Sequence, residues 1–343
     1  MPSHPLIELT LARFREFFRE PEAVFWSFAF PIIMTCALGV AFRSGGDTPV
    51  IVGVVRTAGS DRISTALEQA GRFTVRPLEP DEIERAVRDG RAAVVVVAGH
   101  PPAYHYDEAR AESQAARLAV DEALQRAAGR ADAFVPERRP VARIGSRYID
   151  WLVPGLLGMG IMSTGMWSVT FSIVTARTRK LLKRLVATPM SRTHYLASFV
   201  LSRLAFLTVE AVVLVGFGWL AFDVIVRGSL AALAVTCLVG AMCFGGMALL
   251  VSSRVRTIEA ASGLLNLVML PMWVLSGVFF ASSNFPDAIQ PVIQALPLTA
   301  LIDAQRAIIN EGLAISAVAS ELAVLAAWGG VSFALALKLF RWQ

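Results

Sequence analysis

Residues 149–192 read IDWLVPGLLGMGIMSTGMWSVTFSIVTARTRKLLKRLVATPMSR. From Ile149 to Val174 the only charged side chain is Asp150; from Ala176 to Arg192 there are six basic residues and no acid. A bilayer core of ~30 Å takes about 20 consecutive, mainly apolar helical residues to cross. The first part of the stretch is long enough to cross and the second cannot enter hydrocarbon. Short loops rich in Lys and Arg stay on the cytoplasmic side. This stretch therefore implies both a helical membrane protein and the side on which its basic loop lies.

The same pattern extends outward. Of the 343 residues, 55% are hydrophobic, against ~45–50% in soluble domains, and the excess sits in blocks. Six blocks approach a membrane-spanning length, at 24–42, 149–174, 195–221, 230–251, 260–280 and 317–338. The sequence thus predicts an α-helical polytopic membrane protein with six transmembrane helices. The first block reads as a retained span: two dozen residues precede it, Pro31 interrupts it, and no small-residue cleavage site follows. Cys36, Cys237 and Cys243 all lie inside apolar blocks. That pattern argues against a disulfide framework and against a cysteine metal site.

Charge sets the orientation. Arg13, Arg15 and Arg19 precede the first span, and Arg254 and Arg256 follow the fourth. Lys338 and Arg341 end the chain, and with six spans all these segments share a side with the basic loop. Both termini are expected to be cytoplasmic, in a cell inner (plasma) membrane. Residues 44–147 are expected outside. They hold 15 Arg and 15 acids, and a neutral domain of this kind has no nucleic-acid footprint.

That insert reads as an α/β domain. VIVGVVR and RAAVVVVAG are β-branched runs next to Gly, with RFTVRPL between them and AYHYDEA after them. DRISTALEQAG and EPDEIERAVRDG carry acids at the start and Gly71 or Gly90 at the end, as short helices do. Glu112–Ala128 is a charged amphipathic helix. His100 and His105 read as surface or strand-edge residues, because a catalytic metal site normally takes three protein ligands.

Residues 282–311 are too apolar for a solvent loop and too broken by Pro286, Pro291 and Pro297 for a straight span. Two short re-entrant helices on the outer side fit them. Irregular backbone at membrane depth occurs where protein or a water cavity satisfies it. The segment is expected either to line an exit, with Phe279, Phe280, Phe285 and Pro286 as an outer gate, or to act as a plain plug.

The basic loop itself has helical periodicity. Thr178, Leu181, Leu182 and Leu185 form one stripe, while Arg177, Lys180 and Arg184, then Arg179 and Lys183, take the other faces. Pro189 ends the pattern. Such an element can lie on anionic lipid or dock in a groove of a cytoplasmic protein. Residues 1–21 are expected to form an amphipathic interfacial helix, with Phe14, Phe17 and Phe18 on its apolar side and Arg19 on its polar side. Glu210 sits mid-span, where a carboxylate costs on the order of 2.5–3.5 kcal/mol and must face protein. It is expected to contact a cationic group of the cargo, to pair with Arg203 two turns nearer the cytoplasm on the same span, or to make an interhelical hydrogen bond.

Four stretches, in order, resemble one family. They are FREFFREPEAVFWSFAFPIIMTCALGVAF, GSRYIDWLVPGLLGMGIM, LKRLVATPMSRTHYLASFVLSRL and LSGVFFASSNFPDAIQPVIQALPLTALIDAQRAI. Together with six spans and a large insert after the first, they are similar to the ABC-2 type permeases of ABC transporters. The resemblance implies a membrane-spanning exporter subunit that is not itself an enzyme. It implies that residues 176–190 are a coupling helix, placing Arg177, Arg179, Lys180, Leu181, Lys183, Arg184, Leu185 and Pro189 on a separate ATPase. It also implies two copies of that cytoplasmic ABC ATPase, which hold ATP and Mg, and a second permease copy, identical or similar. The chain departs from the family where it reads ARTRKLL, since many members have an acidic, Gly-containing run there; a contact made by a family acid cannot be transferred.

The lysines agree with this division of labour. A phosphate-binding loop needs Gly-Lys followed by Ser or Thr, and Lys180, Lys183 and Lys338, the three lysines of the chain, follow Arg, Leu and Leu. No cofactor site is expected in this chain, and membrane lipids are its other partners. An ATP-independent carrier or channel, or a receptor with an outer sensing domain, remains the alternative at this level.

Overall fold

The structure is a computed structural model and describes residues 11, 14–15, 18–19, 21–42, 50–131, 134, 147–178 and 192–339. It divides into two compact units, one of Met1–Arg43 with Ala142–Gln343 and one of Ser44–Val141. The first unit opens with a helical run of Pro21–Val24, a π-helical turn Phe25–Ala29, and α1 (Phe30–Ala41). Its apolar part, Phe25–Ala41, is shorter than the other candidate spans. At 1.5 Å per residue it reaches about 26 Å, a turn less than a full hydrocarbon core.

The second unit is a four-stranded sheet with helices on both faces. Its elements run β1 (Val50–Val55), α2 (Ser60–Gln69), β2 (Phe73–Leu78), α3 (Ile83–Arg88), β3 (Val94–Val97), β4 (Ala103–Tyr106) and α4 (Ala111–Ala127). The strand order is β2-β1-β3-β4. β1 pairs in parallel with β2 and β3, and β4 closes the edge antiparallel to β3. Val52, Val54, Val94 and Val96 pack with Leu67, Ala116 and Val120 on one face, while Val55 and Val95 pack with Leu78 and Ala86 on the other. Strands buried on both faces lose the usual alternation, so the runs are continuously apolar. Gly71 and Gly90 take φ of +68° and +69° just past α2 and α3, a left-handed stop that a Cβ would penalise. The Tyr104 hydroxyl donates to Asp121 of α4 at 3.0 Å. Burial, and then this bond, push the phenol up to about 12.

The rest of the first unit is helical: α5 (Tyr148–Thr178), α6 (Arg192–Phe222), α7 (Leu230–Ser252), α8 (Ile258–Leu275), α9 (Gln290–Ala295), α10 (Pro297–Ile309) and α11 (Ala319–Leu339). Among the described residues, five helices are long and apolar enough to cross a membrane, and up to six if the bent pair Asp287–Ala295 and Pro297–Ile309 counts as one span. That pair bends by 82°, and Leu296 at the break is extended. α10 is packed inside the bundle. Leu298, Leu301, Ile302, Ala304 and Ile308 are buried in the main core with residues of α5 and α7.

Small residues allow this packing. A Cβ on Gly246 of α7 would lie 2.8 Å from the Gly329 carbonyl oxygen of α11, so the two backbones meet directly. Gly158 and Gly240 leave room for Ile302 and Leu301 of α10 in the same way. Close approach through small residues is how helices gain contact in lipid, where burial against neighbours yields little hydrophobic energy. Pro154 lies inside α5 and cannot donate to the carbonyl four residues earlier. That carbonyl, of Asp150, accepts instead from Asn310 Nδ2 at 2.9 Å.

Candidate functional site

Halfway along α5 a polar cluster joins helices that are otherwise apolar. Thr164 is about 24 Å from the Tyr148 end and about 21 Å from the Thr178 end at helical rise. Arg203 Nη2 of α6 donates to Thr164 Oγ1 at 2.9 Å, and Thr164 Oγ1 lies 3.2 Å from Glu210 Oε2. The same hydroxyl is 2.7 Å from the Gly160 carbonyl. Seven residues, about two turns, separate Arg203 from Glu210 on one face of α6. The sequence paired these two charges; the structure brings them together through a hydroxyl of the neighbouring helix.

Glycines shape the slot. A Cβ on Gly160 would lie 2.6 Å from Glu210 Oε1, and one on Gly165 would lie 3.4 Å from Arg203 Nη2. Glu210 is 5% exposed, and its Oε1 is enclosed with no hydrogen-bond partner. On α7, Cys237 lies within electrostatic range of Glu210 and accepts from Gln305 Nε2 of α10 at 3.5 Å. Gln305 Oε1 is a second enclosed acceptor without a partner. Four helices thus bring polar groups together at mid-depth, with two acceptors left unpaired.

A second polar group lies near the Tyr148 end of α5. Arg306 of α10 donates to the Trp151 and Gly277 carbonyls, at 3.2 and 2.6 Å from Nη2. Its guanidinium stacks 3.7 Å from the Trp151 ring centroid, and Asp303 is 3.7 Å away. Arg147 binds Asp150 through two bonds of 2.9 and 2.7 Å and donates to the Phe222 and Asp223 carbonyls at the end of α6. A cation on the carbonyl end of a helix is favourable.

At the opposite end of α5, Arg177 Nη1 donates to the Ser252 and Val255 carbonyls at 3.1 and 2.7 Å. It thereby ties the root of the basic loop to the α7–α8 connection. The other docking candidates, Arg179, Lys180, Leu181, Lys183, Arg184, Leu185 and Pro189, lie outside the described residues, as does Phe17. Phe14 stacks on Phe206 of α6 with centroids 4.3 Å apart, and Phe18 lies 6.5 Å from the same ring. Arg19 is exposed. Among the gate candidates, Phe279 packs against the core and its carbonyl accepts from the Tyr148 hydroxyl at 3.0 Å. Phe285 is half-buried with its carbonyl bonded to Gln290; Phe280 and Pro286 are exposed.

Sequence reasoning passed over Thr164, Gly160, Gln305 and Arg306. A signal was present for the first two: Gly155, Gly158, Gly160 and Gly165 crowd one span, and glycine in a membrane helix marks close approach. Arg306 stood in a segment read as an outer loop, where an arginine is unremarkable.

Residues 22–338 match the model of a family described as ABC-2 family transporter protein. No curated protein matches the chain.

Proposed function

Because the chain belongs to the ABC-2 family of transporter proteins, a family of membrane transport subunits, we propose that it is the permease subunit of an ATP-driven exporter. A separate cytoplasmic ABC ATPase, in two copies, holds ATP and Mg and hydrolyses it. Two permease copies, identical or similar, form the pathway. In this reading the chain crosses a cell inner membrane six times, counting the short α1, with both termini and the basic loop in the cytoplasm and the α/β unit outside. The cargo is hydrophobic, amphipathic or polymeric.

The observation that carries this reading is the family match across residues 22–338, which runs from the first helix through α10 into α11 and includes the basic loop. Residues 176–190 act as the handle on the ATPase. The leucines seat in its groove and the basic residues meet acidic groups there. Arg177 supports that role from within: it fastens the root of the loop to the α7–α8 connection, so a push on the loop reaches α5, α7 and α8 together. The outer segment with Phe279, Phe280, Phe285 and Pro286 gates release.

The test is recovery of the partner. Full-length tagged chain, extracted from its native membrane in mild detergent, is expected to bring down an ATP-hydrolysing protein. Leu181→Asp combined with Lys183→Glu is expected to reduce that recovery at least tenfold while leaving the amount of chain unchanged. Equal recovery from both forms would remove the docking role.

A further inference from the structure

We propose that Glu210 is a proton-binding site halfway along the span α6: the arrangement around it holds its carboxyl as the neutral acid. The inference goes beyond the exporter reading and does not require an ATPase.

The argument starts from Thr164, whose hydroxyl has one hydrogen and two lone pairs. The Gly160 carbonyl can only accept, and at 2.7 Å it is the nearest of the three neighbours. Arg203 can only donate, and it occupies one lone pair from 2.9 Å. The third neighbour, Glu210 Oε2 at 3.2 Å, then faces the remaining lone pair. A carboxylate there would compete with the Gly160 carbonyl for a single hydrogen. A protonated Oε2 donates to that lone pair, and every site on the hydroxyl is filled.

Oε1 points the same way. It is enclosed and without a donor, with the Gly160 backbone so close that a Cβ would approach to 2.6 Å. A half-charged carboxylate oxygen left bare in this position is far more costly than the carbonyl oxygen of a neutral acid. Arg203 does not reverse the balance. Among the described residues it reaches Glu210 through Thr164 rather than by a direct ion pair.

The charged and titratable groups around Glu210 are few. Arg203 faces it from its own helix and Cys237 from α7. α5 presents Thr164 and Gly160, and α10 presents Gln305 beside Cys237; none of these three titrates. On α1, Cys36 lies a turn from Gly39, which packs on Phe222, about 18 Å along α6 from Glu210.

The experiment uses the full chain in lipid nanodiscs and infrared difference spectroscopy at neutral pH. Wild type is expected to show the carbonyl stretch of a protonated carboxylic acid, sensitive to deuterium exchange, and Glu210→Gln is expected to lose it. Thr164→Val is expected to shift the band upward, because the acid loses its acceptor. Glu210→Gln should fold and melt like wild type, since its amide can donate to Thr164 as the acid does. Unfolding releases this proton, because a free carboxyl is ionised at neutral pH; stability of wild type relative to Glu210→Gln should therefore fall as pH rises. A wild-type spectrum that matches Glu210→Gln in the carboxylic region overturns the proposal. So does a pH-independent difference in melting. If Glu210→Gln does not fold, a Thr164→Val spectrum with an unshifted band overturns it equally.

Discussion

Two arginines of the membrane unit, Arg306 and Arg203, are both drawn in among apolar helices, and they are treated differently. Arg306 is bound on all sides, by two backbone carbonyls, a tryptophan face and a carboxylate. Arg203 makes one hydrogen bond among the described residues, to a hydroxyl it shares with Glu210. The first arrangement fixes α10 to the beginning of α5 and the end of α8. The second leaves unpaired valence at Glu210 Oε1. A charge fully paired to backbone is a fastening. One satisfied through a single shared hydroxyl is a joint that can open, and it lies halfway along α5.

The largest effect should come from removing the fastening. Arg306→Ala strands the Gly277 carbonyl, at about 1–3 kcal/mol for an unpaired group, and removes the cation that ties it to Trp151. Loss of most folded chain on detergent extraction is expected, and a melting curve like wild type would make Arg306 a bystander. Gly160→Ala should come next. Its methyl must displace the Glu210 carboxyl from a 2.6 Å approach, an overpacking cost of typically about 1–3 kcal/mol. Thermal melting should show this drop, and a Glu210 side chain that moved aside at no cost would show the slot to be loose. Asn310→Ala bares the Asp150 carbonyl freed by Pro154 and should cost about 1 kcal/mol; a matching loss when Pro154→Ala is added would show that the bond does not serve the proline. The smallest effect belongs to Glu210→Gln, within about 0.5 kcal/mol at neutral pH if the acid is already neutral. A loss as large as that of Arg306→Ala would make Glu210 a structural anion and erase the contrast.

The two regions were not equally legible. The membrane class was plain from block length, because a span needs an unbroken apolar run and little else has one. The valine run that forms β3 and the glycines that end α2 and α3 were legible for a similar reason, since each is a local demand of the backbone. Count and depth were less so. The first block has the composition of a span, yet its apolar helix is the short Phe25–Ala41, entered through a π turn. The segment of α10 was read as an outer re-entrant helix because its prolines break it, without a sign of how deeply it is packed. Its burial depends on Gly158 and Gly240 of two other helices, and no reading of α10 alone contains that information. Glu210 and Arg203 stood out as isolated charges. Thr164, which joins them, is one of many hydroxyls whose partner comes from 39 or 46 residues away.

The exporter account rests on the basic loop being held by an ATPase rather than by lipid, and a photo-cross-linking amino acid at Lys183, in whole cells, tests that most directly. The account predicts a covalent adduct with a cytoplasmic ATP-binding protein, and no such adduct from the same probe at Val331, which is exposed on the flank of α11. Adducts at Lys183 with lipid alone would contradict it.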